Sequence, residues 1–283
     1  MILITGASGN VGHEVLKQIP QARQPVRAAY QSPQKAADAP DSVETVIVDF
    51  NQPETLRAAL KGIDSVFLVG PVAPNLVELE SKAMDEIKRS GVRHLVKLSA
   101  MGMRAATFPR QHAESEDRIK DCEVPWTFLR PNGFMQNMVI YNARTVRDQD
   151  AFYGSQGEGK VSLVDIRNVA AVAVRILIED GHAGRTYTLT GLEALSNSRI
   201  AEILTAALGR QIKYVNLPPE QMRQALLGAG VPEWNANGIL DLETLYRDGK
   251  ASRVTGDVEL VLERQPIAYE QFACDYASSL RGL

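Results

Sequence analysis

Short runs of apolar and β-branched residues recur at even intervals through the first half of the chain: ILIT (2–5), VRAAY (26–30), VETVIV (43–48), SVFLVG (65–70), HLVKLS (94–99) and PWTFLR (125–130). The intervening stretches HEVLKQI (13–19), PETLRAAL (53–60), LVELESKAMDEIKRSG (76–91) and AESEDRIKD (113–121) place apolar residues three and four apart, the helical period. Strands alternating with helices predict βαβ units, and βαβ units predict a parallel sheet with helices on both faces. The punctuation agrees. Pro53 suits a first helical turn with Asn51 as its N-cap, and Gly62 and Gly91 suit helix C-termini.

Beyond about residue 131 the rhythm loosens. VSLVDIRNVAAVAVRILIED (161–180) reads as a strand, a cap at Asp165 and a helix; TYTLTG (186–191) as a strand; NSRIAEILTAALG (197–209) as a helix ended by Gly209; IKYVNLP (212–218) as a short strand; and the remainder as helices. The expected division is a cofactor-sized part over residues 1–150, to which 161–191 returns, and a smaller, mostly helical lobe over 192–283. The apolar face of 76–90 is either buried on the sheet or a dimer contact, which leaves monomer or homodimer open.

Bulk numbers narrow the function classes. The chain has 283 residues, 45% hydrophobic and 23% charged, with a net charge of −3 and both signs interspersed. That is ordinary for a soluble globular protein and argues against a nucleic-acid surface, which shows as a basic stripe. No apolar run approaches the roughly 20 residues that cross a bilayer, and no leader segment is recognisable at Met1, so a cytoplasmic protein is expected. Cys122 and Cys274 have no metal-ligand spacing and read as reduced thiols. His13, His94, His112 and His182 are scattered, so no metal is expected.

The strongest local signal is ILITGASGNVGHEVL, where a strand runs through Gly6, Gly9 and Gly12 into a helix. Glycines there either punctuate a βα turn or cradle a pyrophosphate: the first permits a tight turn, the second admits the phosphates, the third lets helix and strand pack. Their position, opening a βαβ series, favours dinucleotide binding in a Rossmann-type, doubly wound α/β sheet, with Gly6, Ser8, Gly9, Asn10, Val11 and Gly12 around the diphosphate. The end of the second strand, VRAAYQSPQK, carries neither the acid that holds ribose hydroxyls nor an Arg for a 2′-phosphate. Gln31, Ser32 and Lys35 are free to bind a phosphate, which leans toward NADP over NAD unless Lys35 is only solvated. Asp49 and Phe50 either face the adenine or form a local turn.

ITGASGNVG, VDFNQPETLRAALKGIDSVFLVG, SGVRHLVKLSAMG and VPWTFLRPNGFMQN, in this order, resemble the atypical short-chain dehydrogenase/reductase superfamily. The nearest resemblance is to its NmrA-like branch, which includes NAD(P)H:quinone reductases, triphenylmethane reductases and redox-sensing regulators. The superfamily's usual chemistry uses Ser with Tyr-x-x-x-Lys. The resemblance places Ser99 at the Ser, Phe108 at the Tyr and His112 at the Lys. Phenylalanine has no proton to give, so ketone reduction and sugar epimerisation by the usual route are disfavoured. An acceptor that stabilises its own charge, such as a quinone or a conjugated dye, needs little acid help.

His112 then either contacts the nicotinamide ribose, supplies a proton, or is a surface residue of a polar helix. Sites in open α/β sheets lie beyond the strand C-termini. There Val69, Gly70 and Pro71 are expected on the nicotinamide side, and Ser99, His112, Pro131 and Phe134 on the reacting face. Met101, Met103, Met135, Tyr141 and Trp234 are expected in an aromatic acceptor pocket or in ordinary core, and Asn137 either fixes a polar ligand edge or caps the next helix. The reading is an NAD(P)H-dependent oxidoreductase acting on a quinone-like small molecule; the alternative is a non-catalytic cofactor sensor.

Overall fold

A computed structural model of the chain describes all residues except Arg23, Asp38, Asp41, Ser42 and Leu283, and all other side chains except those of Gln21, Ala22 and Met103. The strands are β1 (Ile2–Ile4), β2 (Val26–Tyr30), β3 (Glu44–Ile47), β4 (Ser65–Leu68), β5 (His94–Leu98), β6 (Trp126–Pro131), β7 (Ala151–Gly154), β8 (Arg185–Leu189) and β9 (Lys213–Asn216). Helices α1 (Asn10–Gln18), α2 (Pro33–Ala36), α3 (Pro53–Ala59), α4 (Leu76–Ser90), α5 (Thr107–Lys120), α6 (Asn137–Gln149) and α7 (Ile166–Ile178) alternate with them. Helices α8 (Asn197–Leu208), α9 (Pro219–Gly228), α10 (Glu233–Arg247), α11 (Asp257–Leu262), α12 (Tyr269–Asp275) and α13 (Ala277–Arg281) complete the chain.

The described residues form a seven-stranded sheet in the order β3-β2-β1-β4-β5-β6-β8, and each neighbouring pair is parallel. This is the doubly wound arrangement that the strand–helix alternation predicts, with its switch point between β1 and β4. The near-continuous apolar runs follow from burial on both faces. Along β1, Ile2 and Ile4 join the core beneath α1 and α7, while Leu3 joins the core beneath α3 and α4. The same period of two sets Phe67 against Val66 and Leu68, and Val96 against Leu95. Lys97, two residues beyond Leu95, therefore falls on the face covered by α4 and α5.

Residues 161–191 return to the sheet through α7, which packs on α1, and β8, which pairs with β6. Helix α11 also packs on α7 and β8, with Val258 and Val261 in the same core. The lobe has its own core around Phe152, Leu204 and Phe272. The apolar face of α4 is spent on the sheet: Ala83, Met84 and Ile87 pack with Leu95 and Phe128.

Several local expectations change. The first residues of 161–165 form only isolated bridges, Val161 with Leu195 and Val164 with Phe134, because the strap is held by Asn132 and Ala251 rather than by a strand. The segment 151–154, unrecognised in the sequence, is a strand paired with β9. Gln52, not Asn51, precedes α3, and no side chain caps it. Asp165 caps α7 as expected, accepting from the Arg167 N–H at 2.8 Å. Helix α5 starts at Thr107, so Phe108–His112 is its opening turn and not a loop before it.

Candidate functional site

The carboxyl ends of β1 to β6 open into a cavity of about 570 Å³, bounded on its far side by the end of α10 and the residues after it. At one end lies the glycine-rich turn. Gly6 has φ +60°, and a Cβ there would stand 2.9 Å from a Val69 methyl, so glycine is required on two counts. A Cβ on Gly12 would stand 2.3 Å from the Gly6 carbonyl oxygen. Gly12 is therefore a packing residue and does not line the cavity, whereas Gly6, Ser8, Gly9, Asn10 and Val11 do. Helix α1 begins at Asn10 with no side-chain cap and no acid in its first turn. Its leading N–H groups and the positive end of its dipole are left for an anion.

At the adenosine end, Gln31, Lys35, Asp49 and Phe50 line the cavity. The Lys35 ammonium donates to Gln31 Oε1 at 2.9 Å. Ser32 lies outside the lining: its hydroxyl oxygen accepts from the Lys35 N–H and starts α2. Asp49 forms the local turn, accepting from the Asn51 N–H at 2.9 Å, and still borders the cavity.

The other end gathers Val69, Gly70, Pro71, Ser99, Met101 and Phe108, together with His112, Pro131, Phe134 and Asn137. Asn137 is the first residue of α6, not its cap. Three expected acceptor residues are not on the wall. Tyr141 is 72% exposed on the outer face of α6. Met135 is buried in the lobe core. Trp234 stands behind Phe108, edge-on at 5.3 Å between ring centroids. The Met103 side chain lies outside the described residues. In their place the lobe supplies Leu242, Leu245, Tyr246 and Lys250, which sequence periodicity assigns to an ordinary helix and its exit. Asn132 holds this floor together, donating to Ser162 Oγ and the Ala251 carbonyl, both at 2.8 Å.

Polar groups behind the reacting end form two buried sets. The Ser99 hydroxyl donates to Glu116 Oε1 at 2.5 Å, and Glu116 is paired with Arg130, whose Nε donates to the same oxygen at 2.9 Å. The Ser99 hydroxyl hydrogen is therefore engaged by a carboxylate, and its oxygen faces the cavity as an acceptor. Lys97, fully buried, donates to Glu80 Oε1 at 2.7 Å and to the Leu98 carbonyl at 3.3 Å, and lies 3.3 Å from His112 Nδ1. The second Glu80 oxygen accepts from the Ser115 hydroxyl. Burial, with the facing Lys97 ammonium, holds the His112 pKa well below the ordinary histidine value. His112 is thus no solvated surface residue. Nothing in the sequence marks the lysine except its place in an otherwise apolar strand.

Phe108 is held against α10. A Cβ placed on Gly238 of α10 would stand 2.4 Å from its Cζ and 2.7 and 2.9 Å from the two Cε atoms. These distances put that Cβ over the ring face at Cζ, so the ring lies flat against α10 while still lining the cavity, and Gly238 is what lets the helix pass. Tyr246 is a phenol that does border the cavity; burial, then the nearby Glu243, pushes its pKa up to about 12. Its hydroxyl is thus a neutral donor at ordinary pH.

The family model described as NAD(P)H-binding matches residues 6–180. The chain belongs to the NAD(P)H-binding family. The match begins at Gly6 and runs through α7, so the family's part of the chain contains both the glycine-rich turn and His112. Within this family the chain is 36% identical over 284 residues to the NAD(P)H azoreductase of Xenophilus azovorans, covering 99% of each. It is 30% identical over 255 residues to quinone oxidoreductase 2 of Escherichia coli, covering 85% of this chain and 86% of that one. The fold matches the crystal structure of the Citrobacter sp. triphenylmethane reductase complexed with NADP(H), with a TM-score of 0.89 at 23% identity over 98% and 100% of the two chains. Among the described residues no group of three or more His, Cys, Asp or Glu is placed to hold a metal ion, and no helix is long and apolar enough to cross a membrane.

Proposed function

We propose that the protein is an NAD(P)H-dependent oxidoreductase that reduces a conjugated small molecule, quinone-like or azo-like. The observation that carries this reading is the continuity of one cavity from the glycine-rich turn to His112, with no phenol at position 108. The uncapped α1 N-terminus, free of acids, and the close approach that Gly6 and Gly12 permit fit a dinucleotide diphosphate. Gly6, Ser8, Gly9, Asn10 and Val11 would hold it, with Gln31 and Lys35 at the adenosine ribose and Asp49 and Phe50 near the adenine. Lys35 is the reason to favour NADP over NAD. The cofactor supplies a hydride; the protein supplies position and charge. Residues 1–150 with 161–191 form the cofactor part, and 192–283 the lobe over the acceptor.

The acceptor side is apolar, with Met101, Phe134, Leu242 and Leu245, and carries hydrogen-bond donors at its margin, as flat aromatic ligands require. Without a phenol at position 108, the site suits acceptors that delocalise the charge a hydride brings. The azoreductase and quinone oxidoreductase names of relatives support the same class.

A second reading, a cofactor sensor without turnover, draws on the commitment of the Ser99 proton to Glu116 and on the missing phenol. One experiment separates the two: calorimetric binding of all four nicotinamide forms, followed by NADPH and NADH consumption with a panel of quinones and azo dyes. Binding with turnover supports the reductase. Binding of the oxidised cofactor with no turnover supports the sensor, and no binding removes both.

A further inference from the structure

Lys97 and Glu80 lie outside the cavity, and neither is needed to hold a cofactor, yet both are fully buried. Burying an ion pair in a parallel sheet costs desolvation that its attraction only roughly offsets, so its geometry invites another explanation. An ammonium has three N–H bonds and no lone pair. The Lys97 Nζ has three neighbours: Glu80 Oε1, the Leu98 carbonyl oxygen and His112 Nδ1. The first two are acceptors, so the third must be one as well. A proton on His112 Nδ1 would set one N–H against another at 3.3 Å. The ring's single proton therefore sits on Nε2.

That nitrogen has no partner among the described residues, and it is not sealed from the cavity, since it is absent from the buried orphan atoms Asn168 Nδ2, Arg175 Nε and Tyr269 OH. Its environment is otherwise settled. From α4 it is faced by Glu80, already bonded to Lys97 and Ser115. On β5, Ser99 is bonded to Glu116, and Glu116 of α5 itself is taken by Arg130. Gly70 completes the cradle, because a Cβ there would stand 2.4 Å from Glu80 Oε1.

We propose that Lys97, backed by Glu80, is a positioning residue that holds His112 as the neutral, Nε2-protonated imidazole, so that the cavity meets a fixed hydrogen-bond donor there and not an imidazolium. The tautomer follows from the Lys97 contacts alone. What the donor meets rests on the reductase reading: a carbonyl oxygen or azo nitrogen, whose hydrogen bond strengthens as hydride arrival adds negative charge. Ligands whose polar edge is itself a donor are disfavoured at this position.

The test uses the full chain, ¹⁵N-labelled at histidine and free of cofactor. Long-range ¹H–¹⁵N spectra give the tautomer and titration of each of the four histidines, with His112 assigned as the signal lost in His112→Gln. The expected result is an Nε2-protonated pattern unchanged from pH 8 to below the ordinary histidine midpoint near 6.5. An Nδ1-protonated ring, or an imidazolium forming near that midpoint, overturns the proposal without any other variant. In Lys97→Met/Glu80→Met, which removes both charges together, the His112 midpoint should rise and both tautomers should appear; an unchanged spectrum in a folded variant also overturns it.

Turnover supplies a separate readout. His112→Gln keeps an N–H near the Nε2 position and His112→Asn does not, so the Gln variant should retain about a hundredfold more kcat, the lower end of the range for losing one preorganised donor. Equal kcat values refute the donor role. An absence of turnover in the unsubstituted protein refutes the reductase reading and leaves the spectroscopic result standing.

Discussion

Replacing Gly238 by alanine tests how Phe108 is held at this site. The new Cβ would stand 2.4 Å from Phe108 Cζ and 2.7 and 2.9 Å from the two Cε atoms, over the face of the ring. Carbon–carbon contact is optimal at about 3.5–4.0 Å, so the ring or the helix must give by about 1 Å. Overpacking of this kind costs about 1–3 kcal/mol. For a chain of this size about 2 kcal/mol corresponds to a fall in Tm of roughly 4–8 °C. Thermal unfolding by circular dichroism measures the shift. The expected outcome is a less stable protein; a Gly238→Ala variant as stable as the parent would refute the close packing of Phe108 against α10. Phe108→Tyr adds its hydroxyl in the plane of the ring, at right angles to that contact, and should lower Tm less than Gly238→Ala does; an equal or larger loss would refute the face-on geometry.

Gly12→Ala puts a methyl 2.3 Å from the Gly6 carbonyl oxygen and should weaken NAD(P)H binding, since it shifts the backbone amides that face the diphosphate and not a side chain; calorimetry checks this. Lys35→Ala should weaken NADPH several-fold and leave NADH unchanged; equal losses would remove the argument for NADP. His112, His94 and His182 all have depressed pKa values, in each case chiefly through burial. Below about pH 6.5 the unfolded chain therefore takes up protons that the folded chain refuses, so stability falls as pH drops through that range. Urea midpoints between pH 7.5 and 5 should show the loss, and His112→Gln should reduce it. Tyr246→Phe removes a neutral donor from the acceptor side and should raise KM for a quinone more than it lowers kcat; no change in either would place the phenol outside the acceptor site.

The sheet and the dinucleotide turn were legible in the sequence because both depend on short-range order. A parallel strand buried on both faces must be apolar throughout, and its helix must carry a stripe of period 3.6, so ILIT, VRAAY and SVFLVG declare themselves. Gly6 and Gly12 are required by contacts within one βα unit and its neighbouring strand. The short strand at 151–154 was hidden because its stability comes from a partner at 213–216, distant in sequence. Trp234 and Tyr141 looked alike as exposed aromatics near the end of the sheet, and only packing put one behind Phe108 and the other in solvent.

The same holds for chemistry. The residue type at position 108 was plain in the sequence and excluded a tyrosine acid; the face-on packing of the ring, allowed by a glycine in a helix 130 positions later, was not. Histidine 112 was visible as a polar residue of undetermined use. Its protonation is decided by Lys97 on a strand and Glu80 on another helix, because a proton's position depends on which lone pairs and N–H bonds meet in space, and no spacing along the chain encodes that meeting.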